Sequence, residues 1–144
     1  KKTQRGNALI EFAIGWSVLW LIFAGIYQFG YSFYIYNVLQ TQVANAAELG
    51  SVLPYDTSNP SAFTTTLQNM VLYSDETAGN SPCVPGLTAA NVNVNAKTDA
   101  KGTPSDVTVN IQNYTISAIF ASFTPVNKPR ATVKYLGDVI CSGC

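Results

Sequence analysis

One carboxylate stands inside the most apolar part of the sequence and is the first candidate for a chemical role. Glu11 interrupts the run LIEFAIGWSVLWLIFAGI (residues 9–26), whose one other polar side chain is Ser17. A carboxylate within an apolar membrane span costs roughly 2.5–3.5 kcal/mol on insertion scales, so such a residue normally has a partner and a function. After Glu11 the next charged residue is Glu48, which makes the segment between them unusual for a solvated helix.

The other reactive side chains are three cysteines, Cys83, Cys141 and Cys144, and the sequence has no histidine. Histidine is the commonest acid–base catalyst near neutral pH and the commonest metal ligand, so its absence weighs against an enzyme. No phosphate-binding loop, calcium loop or nucleophile–base set is present, and we expect no cofactor and no metal. The 8 basic and 8 acidic residues give a net charge of zero, which offers no electrostatic basis for nucleic-acid binding.

The element that holds this carboxylate is predicted to be a membrane-spanning helix. About 20 apolar residues cross the hydrocarbon core of a bilayer, and residues 9–26 come close to that length. A secretory signal peptide is the alternative, but its apolar region is shorter, at roughly 7–15 residues, and aromatic residues follow Ile26 where small ones would be needed. Lys1, Lys2 and Arg5 precede the span, so we expect the N-terminus in the cytoplasm and the rest outside.

The helix is predicted to continue beyond the membrane as an amphipathic element. No proline occurs between residues 27 and 49, and apolar side chains recur at helical spacing: Phe29, Phe33, Tyr36, Val43 and Ala47. Gly50 is predicted to cap the helix and Pro54 to prevent its resumption. A helix over residues 7–49 would be roughly 65 Å long, about twice the apolar thickness of a bilayer. One half can therefore lie in lipid while the other supports a domain.

The fold class is predicted to be α+β, with this long N-terminal helix followed by a short helix and a small antiparallel sheet. Asn59 and Pro60 are predicted to start the second helix, which is buried through Phe63, Leu67, Met70 and Val71. Residues 76–86 read as a loop, and an antiparallel sheet of three or four strands is predicted, with strands around residues 92–96, 107–112 and 130–140. We expect residues 1–50 to form the membrane or filament-core helix and residues 51–144 a small extracellular domain.

The segment around the carboxylate resembles the processing site of type IV prepilins. The residues are Gly6-Asn7-Ala8-Leu9-Ile10-Glu11, preceded by Arg5. In that family a membrane aspartyl peptidase cleaves after the glycine, and the fifth residue of the mature chain is glutamate. The resemblance implies cleavage between Gly6 and Asn7 and a role for Glu11 in neutralising the N-terminal amine of a neighbouring subunit. With the bond intact, a neighbour's lysine or Arg5 is the expected partner.

A longer stretch resembles the TadE-like pseudopilins of tight-adherence secretion systems. The matching residues are GIYQFG (residues 25–30) and the alanine-rich helix end ANAAELG (residues 44–50), with a looser likeness in VTVNIQNYTI and RATVKYLG. The likeness is good over about a third of the chain. One departure is that Gly15 and Trp16 stand in an apolar run that often carries a proline in the family.

The resemblance implies a structural subunit, not an enzyme, of an extracellular type IV pilus-like filament. Its expected partners are further copies of itself, the membrane before assembly, a prepilin peptidase and an assembly platform. Its expected location is the inner membrane before assembly and a cell-surface filament afterwards. The side chains expected to pack in the filament core are Leu9, Ile10, Phe12, Ile14, Trp16, Leu19, Trp20, Phe23, Ile26, Phe29 and Phe33.

Two other functions remain open at this point. A minor pseudopilin would prime or tip a filament made of another protein, and would be scarce in sheared filaments. A single-pass membrane protein with a binding ectodomain would not depend on Glu11.

The three cysteines yield a testable prediction, provided that the C-terminal part faces an oxidising compartment. We expect Cys83 to pair with Cys144, with Cys141 as the alternative partner and a Cys141–Cys144 ring as the least favoured. A bridge from Cys83 would close a loop of roughly 60 residues and restrict the unfolded chain by about 4 kcal/mol, more than a four-residue ring would. Peptide mapping without reductant checks this, and a Cys83 peptide with a free thiol contradicts it.

Overall fold

The first element of the protein is a helix that spans more than a third of the chain. The structure, a computed structural model, describes residues 4–100, 102 and 104–140. Helix α1, Gln4–Val52, has 49 residues and is therefore about 75 Å long. The predicted cap at Gly50 is wrong, because the helix continues through it. The end is set by Pro54, which has no N–H to extend the ladder after the bond from Leu53 N to Leu49 O, 2.9 Å.

Gly50 lies where the three main layers of the domain meet. A Cβ atom at this position would lie 2.9 Å from Cδ1 of Leu67 in the second helix and 3.0 Å from Cγ1 of Val107 in the sheet. Both of those side chains are fully buried, so neither has free space to move into. The glycine therefore permits a close approach of α1 to its neighbours, which is a different role from capping.

The short helix follows the prediction. Helix α2, Pro60–Tyr73, has proline at its first position, and Phe63, Leu67 and Val71 are buried. Leu72 is also buried, whereas the predicted core residue Met70 is only half-buried. The helix ends at Ser74, whose φ of 57° is left-handed and whose N–H donates to the carbonyl of Met70.

The sheet has three antiparallel strands in the order β2, β3, β6, which confirms the predicted class. A short 3-10 turn, Ala89–Asn91, leads into β2, Val92–Thr98; β3 is Pro104–Ile111 and β6 is Arg130–Lys134. Val107, Val109 and Ile111 of the central strand are buried, and its outer face carries Thr108, whose hydroxyl pairs with that of Thr132 at 3.0 Å. Alternation along β3 therefore separates a core face from a polar face.

The last predicted strand, residues 130–140, divides into two. After Lys134 the chain leaves the sheet, and β7, Val139–Ile140, pairs in parallel with β1, Tyr55–Asp56. A further hairpin, which the sequence did not predict, is formed by β4, Ile116–Ser117, and β5, Ser122–Phe123. Two-residue strands are too short to produce a hydrophobic alternation in the sequence.

The core is organised around one stripe of α1. Ile35, Leu39, Val43, Ala46 and Ala47 are at most 3% exposed and belong to one cluster with buried residues of α2 and β3. Phe29 and Phe33, predicted on this stripe, are instead 70% and 66% exposed.

The wrong prediction for Phe29 and Phe33 has a geometric reason. Steps of four residues from Phe29 and Phe33 lead to Asn37 and Thr41, both exposed, so this line of side chains becomes polar and faces solvent. The buried stripe lies on a different line of the helix, through Ile35 and Leu39.

The C-terminal end of α1 is held by the segment between β6 and β7. The N–H of Leu136 donates to the carbonyl of Ser51 at 2.7 Å, and the hydroxyl of Tyr135 lies 2.9 Å from the carbonyl oxygen of Leu53. These bonds satisfy carbonyl groups that a helix end leaves without an intrahelical partner. Partial burial raises the pKa of the Tyr135 phenol, as expected for a hydroxyl that donates in its neutral form.

Cys83 lies in an exposed loop that is fixed to the end of α2. Its N–H donates to the carbonyl of Leu72 at 2.7 Å, and among the described residues it is a free thiol. Cys141 and Cys144 lie outside the described residues, so the pairing stays a prediction.

We expect Gly50→Ala to destabilise the protein even though alanine is the better helix former. Overpacking against Leu67 and Val107 costs roughly 1–3 kcal/mol, whereas alanine returns at most about 1 kcal/mol. The net loss should be about 1 kcal/mol, measured by denaturant unfolding of the full chain in detergent.

Gly30→Ala is the matched control, since nothing lies within 4 Å of its added Cβ. This variant should be as stable as the wild type or slightly more so. Equal effects of the two substitutions would show that the close approach at Gly50 does not matter.

Candidate assembly surface

The N-terminal half of α1 carries an apolar surface that the rest of the chain leaves uncovered. The eleven side chains predicted to pack in a filament core are all 45–71% exposed: Leu9, Ile10, Phe12, Ile14, Trp16, Leu19, Trp20, Phe23, Ile26, Phe29 and Phe33. Consecutive helical residues are about 100° apart, so the members between residues 9 and 26 lie on every side of the helix. A helix that is apolar all round requires an apolar surrounding.

The same surface includes side chains that the sequence analysis did not single out. Val18, Leu21, Ile22, Tyr27 and Tyr34 are 52–65% exposed. Val18, Leu21 and Ile22 lie in the apolar run of residues 9–26, so the run itself was the signal that could have found them. Tyr27 and Tyr34 belong to the aromatic-rich segment that follows it. We call this whole set of exposed apolar side chains of α1 the assembly surface.

Small residues make parts of this surface flat. A Cβ atom at Gly15, Gly25 or Gly30 would meet nothing within 4 Å. Aromatic rings stack along the helix beside Gly15, where the ring centroids of Phe12 and Trp16 are 6.3 Å apart. Glycines next to large rings allow a second helix to approach closely and to fit its own rings into the gaps.

Glu11 is an exposed acidic side chain within this apolar surface. It lies one helical turn after Asn7, on the same side of α1, because residues four apart are neighbours on a helix. The Gly6–Asn7 bond lies in the first turns of α1, which begins at Gln4. A chain cleaved there would carry its new amine about one helical turn from its own Glu11. The roles of Arg5, Gly6, Asn7 and Glu11 remain predictions.

Length and composition qualify α1 for a membrane. Among the described residues it is the one helix, over Asn7–Val52, long and apolar enough to cross a bilayer. The buried core helix of a soluble protein can pass the same test, but the apolar window here is almost entirely uncovered. The apolar part of α1 therefore matches a lipid environment in both length and exposure.

The long apolar helix α1 carries a small α+β domain on its C-terminal half. Residues 6–48 match the model of the family described as TadE-like protein, which confirms the resemblance over most of α1. No curated protein and no solved structure matches the chain. The family match supports a pilin-like component of a tight-adherence system that is anchored in a membrane and assembles within a pilus system.

Two substitutions on α1 should separate the assembly surface from the core. Leu39 is fully buried, so Leu39→Ala should lower the free energy of unfolding by about 2–5 kcal/mol. Phe33 is 66% exposed, so Phe33→Ala should change it by less than about 0.5 kcal/mol. Denaturant unfolding of the two full-length variants in detergent measures both. A large loss for Phe33→Ala would mean that this ring belongs to the core of its own chain.

Proposed function

We propose that this chain is a structural subunit of an extracellular type IV pilus-like filament. The observation that carries the proposal is the assembly surface: between residues 9 and 26 the helix is apolar on all sides, and its own domain leaves this part almost entirely uncovered. The TadE-like match over the same residues supports it, and that family is structural. In this function residues 1–50 form the membrane and filament-core helix, and residues 51–144 form the domain that faces outward.

The lipid bilayer and the filament core are both apolar environments, so the same assembly surface fits both. In the bilayer the acyl chains cover Leu9 to Ile26, and in the filament the helices of other copies take their place. Since lipid tails are as apolar as these side chains, no hydrophobic gain drives the exchange. Close packing at Gly15, Gly25 and Gly30 and polar pairing must supply the stability of the filament.

Glu11 supplies the polar pairing in this proposal. A prepilin peptidase cleaves between Gly6 and Asn7, and the new amine of one subunit pairs with Glu11 of a neighbour. An ion pair in an apolar surrounding loses little to solvent, while a single unpaired charge there is strongly destabilising. A subunit in the wrong axial register would leave both charges unpaired. Glu11 would thus set the register as the assembly platform adds each copy.

The test is Glu11→Ala in cells that make the filament. We expect the variant to insert in the inner membrane at the normal level but to be absent from sheared filaments. Glu11→Gln should retain more assembly than Glu11→Leu, because an amide can still accept a hydrogen bond. Glu48→Ala is the matched control, since Glu48 is an exposed acidic residue at the other end of the same helix.

Normal filament yield from Glu11→Ala would overturn the assembly role of this carboxylate. The amount of the wild-type chain in sheared filaments shows whether it is a major or a minor subunit. A dominant band is expected for the proposed subunit, while a trace amount would identify a minor pseudopilin.

A further inference from the structure

The hairpin formed by β4 and β5 reaches down α1 to the edge of the apolar span. We call residues 116–123 the tip hairpin. Its turn is closed by the N–H of Ala118, which donates to the carbonyl of Ala121 at 3.2 Å. At its base the hydroxyls of Thr115 and Thr124 are paired at 2.7 Å. The hairpin is therefore a defined structure that places residues 118–121 at one end of the domain.

Gln28 of α1 fixes the position of this turn. Its Nε2 donates to the carbonyl of Ala121 at 2.7 Å, and its Oε1 accepts the N–H of Phe120 at 3.0 Å. Both polar atoms of the Gln28 carboxamide thus form hydrogen bonds with the backbone of two adjacent residues of the tip hairpin. One helical turn earlier, Ala24 is 8% exposed although Phe23 beside it is 60% exposed. That contrast agrees with a turn held against this face of α1.

The residues that the tip presents are apolar and exposed. Ile119 and Phe120 are each 62% exposed, and Phe123 is 57% exposed. The sequence has no charged residue from Val107 to Asn127. Large apolar side chains at the exposed end of a hairpin are unfavourable in water and mark a surface that meets an apolar environment.

The level of the tip along α1 identifies that environment. Nineteen residue steps separate Leu9 from Gln28, which corresponds to roughly 29 Å of helix and to the thickness of the hydrocarbon core. When residues 9–26 lie in lipid, Gln28 stands at the outer boundary of the bilayer. The exposed ring of Tyr27 lies at the same level, where aromatic side chains are favoured.

We propose that the tip hairpin is a second membrane contact of this subunit, with Ile119 and Phe120 inserted into the outer interface of the bilayer. The proposal rests on the membrane stage of the function proposed above. Two contacts, α1 and the tip, would fix both the tilt and the rotation of the domain before assembly. Gln28 is the positioning residue, because it joins the tip to the helix at the required depth.

The experiment measures the depth of a single tryptophan in lipid. Trp16 and Trp20 are replaced by phenylalanine in the full chain, and Phe120→Trp is added. The protein is inserted in phosphatidylcholine–phosphatidylglycerol vesicles that contain lipids brominated near the headgroup end of the acyl chains. The control carries Leu136→Trp in the same background. Leu136 is 78% exposed but lies at the opposite end of the domain, where its N–H bonds to Ser51.

We expect the tryptophan at position 120 to be quenched at least about twofold more than that at position 136, as for a group buried in the interface. Equal quenching at the two positions overturns the proposal. A blue shift that depends on protein density, without quenching by lipid, also overturns it and assigns the tip to a second copy. The wild-type chain, which carries Trp16 and Trp20, tests the membrane anchoring by α1 separately. If Trp16 and Trp20 are quenched in the wild type but the tryptophan at position 120 is not quenched in the variant, anchoring by α1 stands and the membrane contact of the tip hairpin is wrong.

A further variant tests the positioning role. Gln28→Ala in the Phe120→Trp chain removes both bonds to the tip, so quenching should fall towards the level at position 136. Gln40→Ala, at an exposed glutamine of the same helix, is the matched control and should leave quenching unchanged. Equal quenching in the two variants would overturn the role of Gln28.

Discussion

The continuous backbone of α1 places two different environments on one element. Its hydrogen-bond ladder runs without interruption from Gln4 to Val52, so the two halves cannot move as separate bodies without bending the helix. The first half is apolar on every side, so it requires an apolar environment instead of water. The second half must instead present one apolar stripe to a domain and a polar face to solvent. The domain packs on the second half of α1 and leaves most of the first half uncovered.

The small domain depends on the helix for its core. Leu39, Val43 and Ala46 belong to one buried cluster with residues of α2 and β3. The other described strands form only two-residue pairs, β1 with β7 and β4 with β5. A sheet with one apolar face needs another layer against it, and α1 provides that layer. Because the helix is part of the core, the domain is attached to the rod by packing over several turns.

The end of α1 shows how this attachment is completed. Gly50 lets the helix approach α2 and the sheet, and the segment after β6 returns to bond the last carbonyl groups through Leu136 and Tyr135. The tip hairpin makes a comparable connection near the other end of the domain, through Gln28. The domain is thus held to α1 at both ends, about 23 residues apart or roughly 35 Å. In the function proposed above, this attachment would keep the domain in one orientation when other helices replace the lipid around α1.

The sequence by itself determined the features that depend on local chemistry and periodicity. These include the apolar span, the helix start at Pro60, the alternation along β2 and β3, and the carboxylate of Glu11 in an apolar run. Each is encoded within a few neighbouring residues, so no knowledge of distant contacts is needed. The TadE-like resemblance lies in the same N-terminal segment.

The tertiary structure decided which face of α1 is buried: Phe29 and Ile35 are both apolar, but only Ile35 packs in the core of the domain. It also decided the role of Gly50, which local rules assign to a cap but which the contacts with Leu67 and Val107 require for close packing. The short pairings of β1 with β7 and of β4 with β5 likewise depend on partners that only the folded chain brings together. Gln28 is one polar residue among several along the helix, and its position opposite the tip of the hairpin follows from packing alone.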